Sequence, residues 1–157
     1  MKTFSLALAA LTLGLIATPA AAADDGKTPY WASIRAGEVN MRAGPGEDYR
    51  IEWVYRRPQL PVKVLRMMEG WRLVEDPDGA RGWMLARFLT RQHSGFVKGK
   101  GLADMREKGG GDARLLWRVE PGNVVLIGDC VNGWCEVRLG DRAGYIAQDR
   151  LWGAGEP

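Results

Sequence analysis

The chain reads as an all-β protein: two small, strongly bent β-barrels in tandem, behind an N-terminal export segment. Three observations predict this. From about residue 30 onward the sequence repeats itself at a spacing of 62–64 residues. Each repeat divides into short runs of strand-forming residues separated by turn signals. No stretch after the N-terminal segment carries the period of a long amphipathic helix.

The chain opens MKTFSLALAALTLGLIATPAAAADD. Lys2 gives a positive start, Phe4 to Ala17 is an apolar run of 14 residues, and Ala21-Ala22-Ala23 has the small side chains a signal peptidase accepts before Asp24. The run is shorter than the roughly 20 residues a membrane span needs. It predicts a signal peptide over residues 1–23, removed on export, with no membrane insertion afterwards. The protein is then periplasmic or secreted.

The repeat is visible when VNMRAGPGEDYRIEW (39–53) is set above ADMREKGGGDARLLW (103–117). Met41, Arg42, Gly46, Asp48, Arg50 and Trp53 meet Met105, Arg106, Gly110, Asp112, Arg114 and Trp117. Further on, Gly70-Trp71 and Val74 meet Gly133-Trp134 and Val137, and Gly82-Trp83 meets Gly144-Tyr145. The order is kept while the offset drifts by single residues, as loop deletions in a duplicated unit would produce.

Each unit of about 60 residues reads as five short strands. In unit one, after an entry segment Tyr30-Trp31-Ala32-Ser33-Ile34, LPVKVLRMM and WRLVED flank Glu69-Gly70. Asp76-Pro77-Asp78-Gly79 is a turn with proline at its second position, followed by RGWML. In unit two, NVVLIGDC and WCEVRL flank Asn132-Gly133, Leu139-Gly140-Asp141 is the next turn, and AGYIA follows. Thr90 to Gly101 is the connection, with Phe96-Val97 as a candidate first strand of unit two. The division is thus 24–90 for the first barrel with its entry segment and 91–157 for the linker and second barrel. Units this small are near the lower limit for folding alone, which predicts that the barrels pack on each other.

Composition is that of an ordinary folded protein, with 46% hydrophobic and 26% charged residues. A formal charge of +3, scattered along the chain, is too weak to predict a nucleic-acid partner. The two cysteines, Cys130 and Cys135, enclose Asn132-Gly133, the strongest short hairpin signal because both residues accept positive φ. A two-residue turn makes the cysteines a non-hydrogen-bonded cross-strand pair, with Cα atoms about 4.5 Å apart, inside the range of a disulfide. The alternative is a pair of buried free thiols. Zinc needs about four ligands, and the chain has one histidine, His93.

Here the motifs reach a family. VNMRAGPGEDYR followed by GWRLVEDPDGARGWM resembles the bacterial SH3-like domain, with its hydrophobic-Asn-hydrophobic-Arg-x-Gly-Pro start, its Gly-Trp-x-x-Val and its closing Gly-Trp. The whole chain is similar to the tandem SH3-like proteins exported by alphaproteobacteria. Unit two departs from the pattern: Met105-Arg106-Glu107-Lys108-Gly109 lacks Gly-Pro, and Tyr145 stands for the second Trp. The resemblance implies two SH3-like β-barrels forming a binding module of the cell envelope.

Catalysis is not expected. The cysteine peptidases to which such domains are often joined need a cysteine activated by a histidine, whereas these cysteines are expected to pair with each other and His93 reads as a solvated linker residue. No nucleophile-elbow motif is present, no carboxylate pair stands out, and counting twelve from Asp76 reaches Arg87 rather than the glutamate that closes a calcium loop. No cofactor and no metal are expected.

The aromatic residues carry the binding hypothesis. Trp53 with Trp117, and Trp83 with Tyr145, occupy matching positions and read as packing. Strand alternation sets Trp134 beside Glu136, toward the surface, and Trp71 beside Leu73. Exposed aromatics on a small barrel suit an extended peptide, a proline-rich segment or a glycan face. The candidate ligand-binding residues are Tyr49, Tyr55, Arg56, Arg57 and Trp71, all in unit one. Two functions remain: a non-catalytic module for cell-wall peptide, peptidoglycan or an envelope protein, or a structural interaction unit in which barrel two stabilises barrel one. An aromatic patch left open after the barrels pack favours the first; one buried between them favours the second.

Overall fold

The computed structural model describes residues 27–157; the expected signal peptide, residues 1–23, lies outside them. The first sheet contains β1 (Tyr30–Ile34), β2 (Val39–Arg42), β3 (Ile51–Tyr55), β4 (Pro61–Met68), β5 (Trp71–Glu75), β6 (Arg81–Leu85) and β7 (Leu89–Thr90). The second contains β8 (Ser94–Val97), β9 (Ala103–Arg106), β10 (Leu115–Val119), β11 (Val124–Val131), β12 (Trp134–Leu139), β13 (Arg142–Ala147) and β14 (Leu151–Trp152). The spatial orders are β3-β2-β6-β5-β4-β1-β7 and β10-β9-β13-β12-β11-β8-β14. Each position in the second sheet is the first advanced by seven strands, so the duplication seen in the sequence is a duplication of topology. Among the described residues the helical elements are two 3-10 turns, Ala86–Phe88 and Gln148–Arg150, each just before a closing strand.

Seven strands per sheet replace the five expected. The entry segment is a full strand, β1, paired with β4 and β7, and the closing strands β7 and β14 have only two residues each. Two residues are too few to show an alternating pattern. Strand β8 starts at Ser94, so the expected connection is itself partly sheet.

Two cores form on the inner faces. Ile34, Val39, Met41, Val62, Val64, Val74 and Met84 fill the first; Val97, Met105, Val125, Val137 and Ile146 fill the second. The glycines of the closing pairs, Gly82-Trp83 and Gly144-Tyr145, follow from this packing. A Cβ on Gly82 would lie 2.6 Å from Met41 Cγ, and one on Gly144 would lie 2.7 Å from Met105 Cγ. The methionine of each opening motif fills the space that the glycine of each closing motif leaves empty.

Asn132 (φ +50°) and Gly133 (φ +78°) form the hairpin turn, pairing Val131 with Trp134 and Cys130 with Cys135. The cysteines are disulfide-bonded with Cα atoms 4.0 Å apart. At the equivalent pair, barrel one has Met67 opposite Arg72.

The barrels meet along β1 and the C-terminal strand. Trp31 stacks edge-on against Trp152 with ring centroids 4.7 Å apart, and its indole N–H donates to the Gly155 carbonyl at 2.8 Å. Ser33 Oγ donates to the Gln92 carbonyl at 2.7 Å. Phe96 and Val124 of the second barrel pack against the first core. His93 is not a solvated linker residue: half-buried, its Nε2 lies 2.7 Å from the Gly153 carbonyl, and its own carbonyl accepts from Ile127 N. The short connection pulls it into the seam.

Candidate functional site

A groove of about 240 Å³ opens on the outer face of barrel one. Trp71 on β5 and its register partner Leu85 on β6 form its floor. Val39 and Met41 point into the core, so alternation along β2 turns Asn40 and Arg42 outward to one wall. Arg87 and Phe88 of the 3-10 turn also line it. That turn is fastened beneath Trp71 by a hydrogen bond from Ala86 N to the Gly70 carbonyl, 2.8 Å.

Arg42, the arginine of the opening motif, organises the loop that rims the groove. Its Nη1 donates to the Glu47 carbonyl at 2.8 Å and the Tyr49 carbonyl at 2.7 Å. The Tyr49 ring lies directly on Gly44, where a Cβ would come within 2.3 Å of the ring carbons Cδ1 and Cε1. Glu38, at the groove's edge, is paired with Arg56 Nε at 2.8 Å. Arg42 and Glu38 are therefore engaged within the barrel. The Glu47 carboxylate and the Arg87 guanidinium, which make no ion pair among the described residues, also line the groove.

The five candidate residues divide between this groove and its surroundings. Trp71 is its floor. Tyr49 sits on the rim loop and is 51% exposed. Arg56 reaches the groove through Glu38. Arg57 is exposed in the turn before Pro58, and its carbonyl accepts from Leu60 N. Tyr55 is half-buried, and its hydroxyl donates to Asp76 Oδ2 at 2.7 Å. Burial, and then the Asp76 carboxylate, hold the Tyr55 phenol well above its ordinary pKa. Glu47, Arg87 and Phe88 carried no motif. Arg87 and Phe88 are placed by a three-residue turn whose pattern is neither helical nor alternating.

Trp53 and Trp117, expected in the cores, are 59% and 43% exposed. Each faces the same way as the core methionine opposite it, Met41 or Met105, but on an edge strand that overhangs the core. Arg142 covers Trp117, with its guanidinium carbon 4.4 Å from the ring centroid. The corresponding residue of barrel one is Ala80, and Trp53 stays bare. Trp83 does fit the packing expectation: it lies between Arg42 and Leu73 and is 8% exposed.

The chain is 20% identical over 134 residues to a Bacillus subtilis protein named "Putative N-acetylmuramoyl-L-alanine amidase YrvJ". The match covers 79% of this chain and 26% of the relative, so the chain spans about a quarter of that protein's length. Among solved structures it is similar to NlpC2 from Trichomonas vaginalis, at 16% identity and a TM-score of 0.37, over 80% of this chain and 48% of the other. An NlpC/P60 family protein from Bacillus cereus matches at 13% identity and a TM-score of 0.33, over 78% of this chain and 55% of the other. The family model of the bacterial SH3 domain matches twice, over residues 35–89 and 99–153, which together exceed half of the sequence. The chain belongs to the bacterial SH3 domain family, with two copies of the domain in tandem.

Proposed function

We propose that the protein is a non-catalytic, extracytoplasmic binding module of the cell wall, and that barrel one holds the ligand in the Trp71 groove. The observation that carries this reading is the fate of the aromatic residues when the barrels pack. Trp31 and Trp152 are spent on the seam, whereas the Trp71 groove stays open. A purely structural unit would give no reason for such a groove.

The groove's chemistry suits a peptide. Trp71, Leu85 and Phe88 offer apolar surface, and Glu47 and Arg87 offer one charge of each sign. An extended segment carrying an amine and a carboxylate matches that set. The likeness to the relative named "Putative N-acetylmuramoyl-L-alanine amidase YrvJ" makes cell-wall peptide the favoured ligand over an envelope protein. A non-catalytic role is supported by the cysteines being bonded to each other, which leaves no thiol nucleophile among the described residues, and by the engagement of His93 Nε2 with a backbone carbonyl.

The test is co-sedimentation of purified protein with isolated sacculi, alongside pull-down from a sacculus-free envelope protein extract. Sedimentation with sacculi that persists after their bound proteins are stripped supports the reading. Capture only from the extract overturns it in favour of a protein partner. Release of soluble muropeptides overturns the non-catalytic assignment.

A further inference from the structure

The two barrels share a scaffold, but the outer face around the second Gly-Trp has different chemistry in each. In barrel one the positions are Arg66, Leu73 and Trp83, and Leu73 and Trp83 are register partners. In barrel two the equivalent positions are Asp129, Glu136 and Tyr145, with Glu136 and Tyr145 in register. An arginine has become an aspartate, a leucine a glutamate, and a buried tryptophan a half-exposed tyrosine.

At these positions barrel two has a groove of about 380 Å³. Trp134 and Tyr145 supply two aromatic rings, Asp129 and Glu136 two carboxylates, and Val131 an apolar tip that is 63% exposed. Lys108 stands at the rim. Neither carboxylate is committed to an ion pair among the described residues. The wall formed by β11 and β12 is fixed by the Cys130–Cys135 disulfide. Trp134 is backed by Gly109, where a Cβ would lie 3.1 Å from Trp134 Cβ.

We propose that this groove is a second ligand site, distinct from the Trp71 groove, and that it takes an alkylammonium group: a lysine-like side chain on a peptide. Aromatic faces attract a cation through the ring quadrupole, and paired carboxylates accept its N–H donors. A neutral chain gains neither, and an anionic one also meets repulsion from Asp129 and Glu136. The aliphatic stem of the same side chain suits Val131 and the Trp134 ring.

The probes are a short lysine-containing peptide with blocked termini and its Nε-acetylated form, titrated against the purified protein by NMR or calorimetry. The unmodified peptide binds and perturbs the Trp134 indole signal, and the acetylated peptide binds about tenfold or more weakly. Asp129→Asn with Glu136→Gln reproduces that loss. Both residues are exposed, so these variants keep the thermal transition of the parent. Trp71→Ala leaves the lysine-peptide affinity unchanged, which separates this site from the Trp71 groove. Equal affinity for the two peptides, a signal change at Trp71 rather than Trp134, or full affinity in the double variant overturns the assignment.

Discussion

The Tyr55 hydroxyl donates to Asp76 Oδ2 at 2.7 Å, and barrel two has exchanged both partners at once. Val119 stands at the position of Tyr55 and Leu139 at that of Asp76, and Leu139 packs against the core cluster that contains Val119. One copy ties the end of its third strand to the start of the turn after its fifth with a polar pair; the other has apolar residues at both places. Asp76 is buried, and its other oxygen accepts from Asp78 N at 3.0 Å and Ala80 N at 2.8 Å. The pair braces the Asp76–Gly79 turn, which explains why Tyr55 is withdrawn from the ligand surface.

The first prediction follows. Tyr55→Phe leaves a buried carboxylate oxygen without its donor, at a cost of about 1–3 kcal/mol. Tyr55→Val combined with Asp76→Leu, the arrangement of barrel two, recovers part of the loss. The pH dependence has a definite sign. The folded state holds the phenol proton more tightly than the unfolded chain, because burial and Asp76 raise its pKa. This contribution is complete below the unfolded value of about 10 and is lost as pH rises above it. Denaturant melts at increasing alkaline pH should show a decline that Tyr55→Phe lacks.

A second exchange concerns the rim loop. Tyr49 lies on Gly44 in barrel one; barrel two has Ala113 in place of Tyr49 and Lys108 in place of Gly44. Gly44→Ala should displace the ring and destabilise by about 1–3 kcal/mol. In a Tyr49→Ala background the same substitution should cost little. Thermal melts of the two single variants and the double variant measure the coupling. Additive losses would mean that the ring does not set the glycine requirement.

Much of the fold was legible because local signals agreed with it. The Asn132-Gly133 turn, the cysteine pairing and the duplication each rest on a few adjacent residues. What escaped the sequence depends on residues far apart. Trp53 and Trp117 look like core by position, and only the sheet order shows that their strands are edges. His93 looks like linker, and only the packing of β14 brings the Gly153 carbonyl to it. In the Trp71 groove strand parity left the floor ambiguous, because Trp71 shares its face with Leu73 and an apolar neighbour does not mark a surface. Its charged walls, Glu47 and Arg87, come from a loop and a three-residue turn whose placement no period encodes.

The third prediction concerns the disulfide. The Cys130–Cys135 loop spans six residues, so loop-closure entropy gives only about 2 kcal/mol. Replacing both cysteines by serine should lower stability by about that amount, plus the cost of burying a hydroxyl at the fully buried Cys135. The fold itself should survive, because the hairpin is also held by the Asn132-Gly133 turn and by β13. Protein purified under oxidising conditions and denatured without reductant should show no thiol that reacts with a labelling reagent. Reaction of both cysteines would mean the bond does not form.

The last prediction addresses the Trp71 groove. Removing an aromatic anchor from a binding groove typically costs more than about 1 kcal/mol and can reach about 2 or more, so Trp71→Ala should weaken sacculus binding roughly tenfold. Trp71 lies outside both buried clusters, and the variant should still melt cooperatively. Loss of the fold would instead assign Trp71 to packing. Arg87→Glu tests the charged wall without touching the floor: it reverses one of the two charges offered to the ligand and should weaken capture, with a loss that shrinks at high salt. Trp53→Ala is the informative contrast, since Trp53 is the more exposed indole but stands on the edge strand, outside the groove. It should leave capture close to that of the parent. If Trp53→Ala abolishes binding while Trp71→Ala does not, the ligand pairs with the open edge of β3, and the groove is not the site.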